Sequence, residues 1–222
     1  HYRMSEVIMQ ETCVRQLGVL SGPNIAPEIM AGKPAGTVAA SRFPRVTEAA
    51  QKVLVAGTFR VYSGSDVIGV ELAGALKNIV AIAAGIATRF ELGENTKALL
   101  ITRGMSEIAR LGTRLGAPAP TFSGLAGFGD LLVTCASPLS RNHRVGAALA
   151  EGKKLPEIVE SLGMVAEGVN TSVVAHEMIA RLGLYAPLLD GVYRVVHKGL
   201  HPRDALTQLM ALESRPDVDL GQ

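Results

Sequence analysis

The amino-acid sequence predicts an α/β segment that passes, near residue 64, into an all-α one. Three observations carry this reading. Before residue 64, short β-rich runs alternate with helical ones, which suggests part of a parallel α/β sheet. After Ser65 almost every segment has helical periodicity and ends on a helix stop signal. At the junction lies the most apolar stretch of the chain, 67–88, which has the length of one core helix and a single ammonium, Lys77.

Taken in order, a helix over 4–15 leads to a strand, GVLSG, at 18–22. A short helix capped by Asn24 precedes a second strand, TVAAS, at 37–41. An amphipathic helix over 46–55 is followed by a third strand, TFRVYS, at 58–63. Ser65 or Asp66 can cap the helix of Lys77. A helix over 96–115 closes at Gly116 and Pro118, and shorter ones follow at 127–134 and 141–151. Helices over 169–182 and 187–198 stop at Gly183 and Gly199, and Pro202 opens the last. The tail after Ser214 is polar and expected to fray.

Composition narrows the function classes. At 222 residues the chain can bury a sizeable core, and 48% apolar against 19% charged residues excludes disorder. A net charge of +2 is too small to suggest nucleic acid or an anionic membrane as a partner. Cys13 and Cys135 lie far apart, form no metal-binding spacing and read as reduced thiols of a cytoplasmic protein. The opening HYRMSEVIMQE lacks the apolar core of a signal peptide. Glu71, Lys77 and Asn78 interrupt the 67–88 run, so a core helix is expected there and no membrane span. His197 and His201 are four apart, but Gly199 and Pro202 break any helix between them, and no metal site is expected. The sequence has no GxSxG, no paired CxxC, no Walker A loop and no GxGxxG after a strand.

Lys77 is the first candidate for chemistry. A buried ammonium must be paired or lose its proton, and such lysines serve as general bases. The helix face of Lys77 also carries Val70, Ala73, Gly74, Ala81 and Ala84, small side chains that would leave a groove for a ligand. The plain alternative is a lysine at the rim of the core, its stem buried and its ammonium in water.

Three further segments could join it. In GFGDLLVTC, 127–135, Asp130 is either a simple helix cap or the carboxylate that orients Lys77, with Thr134 one turn further on the same face. In SPLSRNHRVG, Ser140 can cap a helix whose first turn is Arg141, Asn142 and His143. That turn is either a solvated basic surface, with His143 part of it, or an anion site of free N–H groups, a hydroxyl and a guanidinium. In SGPNIAPEI, 21–29, Gly22 would let a ligand approach the backbone at the carboxyl end of a strand, or marks a plain strand-to-helix turn.

Together these segments resemble the bacterial NAD(P)-dependent glycerol-3-phosphate dehydrogenases. The blocks that carry the resemblance are SGPNIAPEI, FRVYSGSDVIGVELAGALKNIVAIAAGI, ENTKALLITRGMSEIARLG, GLAGFGDLLVTC, SRNHRVG and VAEGVNT, in the family's order and over nearly the whole chain. The resemblance implies a C-terminal remnant of a Rossmann-like NAD(P)-binding domain over 1–63. An α-helical substrate domain of the 6-phosphogluconate dehydrogenase C-terminal type would follow over 64–222. It implies a cytoplasmic oxidoreductase, plausibly a homodimer, that feeds phospholipid synthesis by interconverting sn-glycerol 3-phosphate and dihydroxyacetone phosphate with NAD or NADP. Lys77 matches the family's proton acceptor and a substrate position, Asp130 matches a catalytic position, and Thr134 matches a catalytic, substrate-site threonine seen in related enzymes. Gly22, Asn24, Asp130, Ser140, Arg141 and Asn142 match substrate positions, although some relatives have threonine where this chain has Asn24. Ala26, Arg141, Val165 and Glu167 match cofactor contacts.

The family's GxGxxG loop and a further lysine of its cofactor domain are not among these residues, so the chain reads as a piece that begins after them. Two rivals remain at this level. One is a related Rossmann and α-helical dehydrogenase acting on another hydroxy acid or polyol. The other is a catalytically silent helical dimerisation fragment.

Overall fold

The computed structural model describes residues 2–163 and 166–213. Its backbone contacts divide the chain into two compact units, 1–74 with 112–130, and 75–111 with 131–222. Helices α4 (Val67–Arg89) and α5 (Gly93–Arg114) contribute to both.

The first unit is built on three strands in the order β1 (Val19–Ser21), β2 (Ala35–Ala40), β3 (Phe59–Gly64). β2 and β3 are parallel, in register from Ala35 with Phe59 to Ala40 with Gly64. The crossover that parallel pairing requires is α3 (Pro44–Leu54), fastened to β3 by the Gln51 amide on the Val61 carbonyl at 2.9 Å. The purely parallel sheet expected from the alternation is corrected here: β1 runs antiparallel to β2. The link between them holds only the short α2 (Ala26–Met30), so the chain reverses instead of crossing over. α1 (Met4–Glu11) ends earlier than its apolar pattern suggests; beyond it the Arg15 guanidinium takes the Met9 and Thr12 carbonyls at 3.3 and 2.8 Å.

Ala40, Val70 and Ala126 form the buried centre of this unit, with Val19 and Val38 packed on it. Asp66 caps α4 through the Gly69 N–H at 2.9 Å and also accepts the Thr121 hydroxyl at 2.6 Å. A π-helical turn, Leu125–Gly129, runs directly into α6 (Asp130–Ala136). Its Gly127 is pressed against Phe122, where a Cβ would lie 2.2 Å from the Phe122 carbonyl oxygen.

Among the described residues the regular elements of the second unit are helices: the later part of α4, most of α5 and α6, then α7 (Arg141–Ala150), α8 (Leu155–Leu162), α9 (Glu167–Leu182), α10 (Pro187–Lys198) and α11 (Pro202–Met210). α8 is not anticipated by the sequence reading; it is short, opens on Leu155 and Pro156, and buries chiefly Ile158. α9 and α10 stop at Gly183 and Gly199, both left-handed, as expected. The tail from Ser214 lies outside the described residues.

α4 is the axis of this unit. It is long and apolar enough by composition to cross a membrane, but 61% of its apolar window is buried inside the protein, as in a core helix. It meets α7 backbone to backbone. A Cβ on Gly85 would lie 1.9 Å from the His143 carbonyl oxygen, and one on Gly146 would lie 1.9 Å from that of Ile82. Replacing Gly146 with alanine should therefore push the two helices apart and destabilise the fold by about 1–3 kcal/mol, measured by chemical denaturation. An unchanged midpoint would show that the helices are not held in contact there.

Candidate functional site

Each predicted site residue is placed by its own unit. In the first unit, β1 ends at Ser21 and the chain turns through Gly22, whose φ of +156° few side chains adopt. The close neighbour of Gly22 is Thr37 of β2, 3.0 Å from where a Cβ would be, so the tight approach expected for a ligand is made by the sheet itself. Asn24 does not cap α2. The N-cap is Ile25, and the Asn24 amide reaches back to the Thr37 hydroxyl at 2.9 Å, which in turn donates to the Ser21 carbonyl at 3.1 Å. Asn24 and Ala26 are exposed.

Asp130 is buried at 2% exposure and accepts the Ser21 hydroxyl at 3.4 Å. The simple-cap reading fails, because the π-helical turn before it means Asp130 already has helical backbone angles. Ser21 also lines a cavity of about 220 Å³ with Val19, Leu20, Val70, Glu71 and Gly74. The groove expected beside Gly74 is occupied at that point by Ser21, whose hydroxyl would lie 2.7 Å from a Cβ there.

In the second unit Lys77 is half-buried, not enclosed, although Leu76, Asn78, Ile79 and Val80 around it are buried. This is the rim position that the plain alternative described. The small residues Ala73, Ala81 and Ala84 are each at most 1% exposed, so they serve helix packing and leave no open groove. Cys135, one residue beyond the half-buried Thr134, feels the Lys77 charge, but burial dominates and pushes its thiol up to about 12.

The N-terminus of α7 is a built corner. Ser140 caps it, accepting the His143 N–H at 3.3 Å. Arg141 is exposed and pairs with Glu167 at the start of α9, 3.1 Å apart. Asn142 is 3% exposed; its amide NH2 donates to the Asn78 side-chain Oδ1 at 2.9 Å, and its own Oδ1 accepts the Gly168 N–H at 2.9 Å. The structure therefore brings together Arg141, Asn142 and Glu167 from the predicted set, and adds Asn78 and Gly168. Sequence reasoning noticed Asn78 only as a polar interruption. The signal for its role is its position directly after Lys77 in an apolar run. Val165 lies outside the described residues.

His143 corrects another expectation, since it is buried at 7% exposure with its ring on the Thr88 hydroxyl at 3.1 Å. Away from this corner, Glu107 of α5 accepts the Leu188 and Leu189 N–H groups at 3.0 and 2.9 Å, and burial pushes its carboxyl up to about 7. It lines a cavity of about 390 Å³ with Arg103, Arg110 and Leu209 among others, and no predicted site residue is on that wall.

The chain as a whole has clear relatives among known proteins. A family model described as the NAD-dependent glycerol-3-phosphate dehydrogenase C-terminus matches residues 66–207, and one for the N-terminus matches 1–47. The chain belongs to this family. The glycerol-3-phosphate dehydrogenase [NAD(P)+] of Acinetobacter baylyi is 47% identical over 97% of this chain and 60% of its own length. A glycerol-3-phosphate dehydrogenase structure from Coxiella burnetii superposes with a TM-score of 0.90 at 38% identity, covering 94% of this chain and 64% of that one. One from Saccharomyces cerevisiae gives 0.82 at 29% identity, over 92% and 62%. This member of the glycerol-3-phosphate dehydrogenase family thus spans about 60% of the length of the curated relative from Acinetobacter baylyi. Its fold is the end of a Rossmann domain followed by an α-helical domain.

The buried imidazole makes a pH prediction. Burial, then the charge of Lys97, holds the His143 pKa below its ordinary value near 6.5. Its neutral form is favoured by the fold, so its contribution to stability is present above that value and lost as pH falls. Glu107 acts with the opposite sign, losing its contribution as pH rises through about 7. Comparing the protein with His143→Gln isolates the first effect: between pH 7 and 5 the variant should lose less stability than the unaltered protein. Parallel pH–stability curves would overturn this.

Proposed function

We propose that the complete protein interconverts sn-glycerol 3-phosphate and dihydroxyacetone phosphate by hydride transfer with NAD or NADP. Both halves of one dehydrogenase family match this chain in order, and that observation supports the reading most strongly. Residues 1–63 are proposed as the end of the NAD(P)-binding domain and 64–222 as the substrate domain. The change from one family match to the other, between residues 47 and 66, supports that division. A cytoplasmic homodimer feeding phospholipid synthesis is the accompanying proposal.

The nicotinamide would supply C4 as hydride acceptor or donor. The described residues fit one end of such a cofactor: Glu167 and Arg141 present an exposed carboxylate and guanidinium side by side at two helix N-termini. Ala26 and Val165 are proposed as further cofactor contacts. In oxidation, neutral Lys77 takes the proton of the C2 hydroxyl; in reduction, its ammonium gives it back. Its half-exposed position suits this role, because a lysine sealed in the core could not meet a substrate. Asp130 is proposed as the carboxylate that keeps the ammonium form accessible, with Thr134 as a neighbouring hydroxyl. Ser140 and Arg141, at the N-terminus of α7, are proposed to hold the phosphate, with Asn142 at their back and Gly22 and Asn24 also serving the substrate.

In the complete polypeptide, Lys77→Ala should slow turnover by roughly 10²–10⁴-fold while binding of inorganic phosphate stays near normal. Wild-type turnover in that variant would overturn the assignment of the base. Arg141→Ala should instead raise the KM for the phosphorylated substrate. Unphosphorylated glycerol turned over as efficiently as glycerol 3-phosphate would favour a polyol dehydrogenase.

A further inference from the structure

The cavity beside Glu107 lies wholly within the helical unit and contains none of the residues assigned above to substrate or cofactor. On α5, Leu99, Arg103, Glu107 and Arg110 recur every three or four residues, so they share the face that lines it. On α11, Leu206, Leu209 and Met210 line it with the same spacing. At about 390 Å³ the space is in the range of small-molecule sites. We propose that it binds an amphipathic anion, an alkyl chain ended by a carboxylate, with the head at Arg103 and Arg110 and the chain along Leu188, Leu206 and Leu209.

The polar end sets the sign of the ligand. Both oxygens of Glu107 accept backbone N–H groups, those of Leu188 and Leu189. Burial pushes this carboxyl up to about 7 in spite of the Arg110 and Arg103 charges, so near neutral pH it carries only part of a negative charge. The guanidiniums stay fully charged. Arg110 is buried and donates to the Tyr185 carbonyl, while Arg103 is half-buried. Glu213, the other carboxylate on the wall, is exposed, where water and salt screen it. The balance at this end is positive, and a carboxylate head matches the planar fork of a guanidinium. The apolar end calls for a chain. Leu188, Leu206 and Leu209 also line a narrower cavity of about 40 Å³ against Ala83, Ile86 and Val192, so the apolar wall continues into the core. Leu99, Met210 and Leu212, on the same wall, are exposed large apolar side chains that a bound chain would take out of water. An inorganic anion would leave that surface wet, and a neutral hydrocarbon would gain nothing from the guanidiniums.

The test titrates the complete protein with octanoate by calorimetry, with hexanoate and 1-octanol in parallel. Octanoate should bind at a saturable site. Hexanoate, with a shorter chain to bury, should bind about tenfold more weakly. Octanol keeps the chain but lacks the charge and should also lose about tenfold. Arg103→Gln should weaken octanoate by about tenfold and leave octanol unchanged, whereas Leu206→Gln should weaken both. No saturable octanoate binding, octanol bound as tightly as octanoate, or a folded Arg103→Gln variant that binds octanoate as the unaltered protein does would each overturn the proposal. Should that variant fail to fold, the series of chain length and head group on the unaltered protein decides alone. Binding is read without turnover, so its outcome is separate from that of the dehydrogenase reading.

Discussion

The helical unit depends on one close approach, the contact of α4 and α7 at Gly85 and Gly146. Each glycine faces a backbone carbonyl of the other helix at a distance no side chain would allow. Two helices separated by ordinary side chains run about 8–10 Å apart, with side chains and not backbones in contact. Here the backbones touch, and short groups reach across. Asn78 and Asn142 bond directly, and the His143 ring meets the Thr88 hydroxyl. The corner at the start of α7, with its cap Ser140 and the exposed Arg141, hangs from this contact.

A second regularity governs how polar groups enter the core. Three helices that lack a side-chain cap from their own N-cap residue receive one from elsewhere. Glu71 of α4 accepts the Ser5 N–H at the start of α1, at 2.8 Å. Glu107 of α5 accepts two N–H groups of α10. Asn142 of α7 accepts the Gly168 N–H of α9. A helix N-terminus carries donors that are costly to bury unpaired, and a buried acceptor is equally costly alone. Bringing the two together removes both costs at once. Among the described residues, no buried side-chain nitrogen or oxygen lacks a partner. The caps also fix register, since a carboxylate that spans two N–H groups, as Glu107 does, leaves little freedom for the helix to slide.

These remote caps mark where the sequence stops being legible. Element order and most boundaries could be read from local signals, such as Gly183 and Gly199 after periodic runs and Asp66 before α4. Lys77 could be singled out because a charge in an apolar run is locally visible. What could not be read is anything that depends on a partner distant in the chain. Asn24 has the composition of a cap, yet Thr37, thirteen residues on, takes its amide. Asp130 also resembles a cap, and only the π-helical turn before it removes that role. Alanines 73, 81 and 84 read as a groove because a small side chain looks the same whether it faces a ligand or another helix. The antiparallel β1 was hidden for the same reason: strand residues report their own exposure but not the direction of their neighbour.

The exposure of Lys77 follows from these packing constraints. Fully buried, it would carry a desolvation cost and be unreachable; fully exposed, it would have no fixed place. Asn78 turns inward to meet Asn142, and the flanking Leu76 and Ile79 fill the core, so the helix leaves Lys77 only the rim. The same inward turn at Asn142 and Gly168 leaves Arg141 and Glu167 outside, where they pair. A surface ion pair of this kind contributes little stability, on the order of 1 kcal/mol or less, so the fold gains little from keeping it. Its place follows from the buried bonds of Asn142, which leave the two oppositely charged groups side by side at two helix starts.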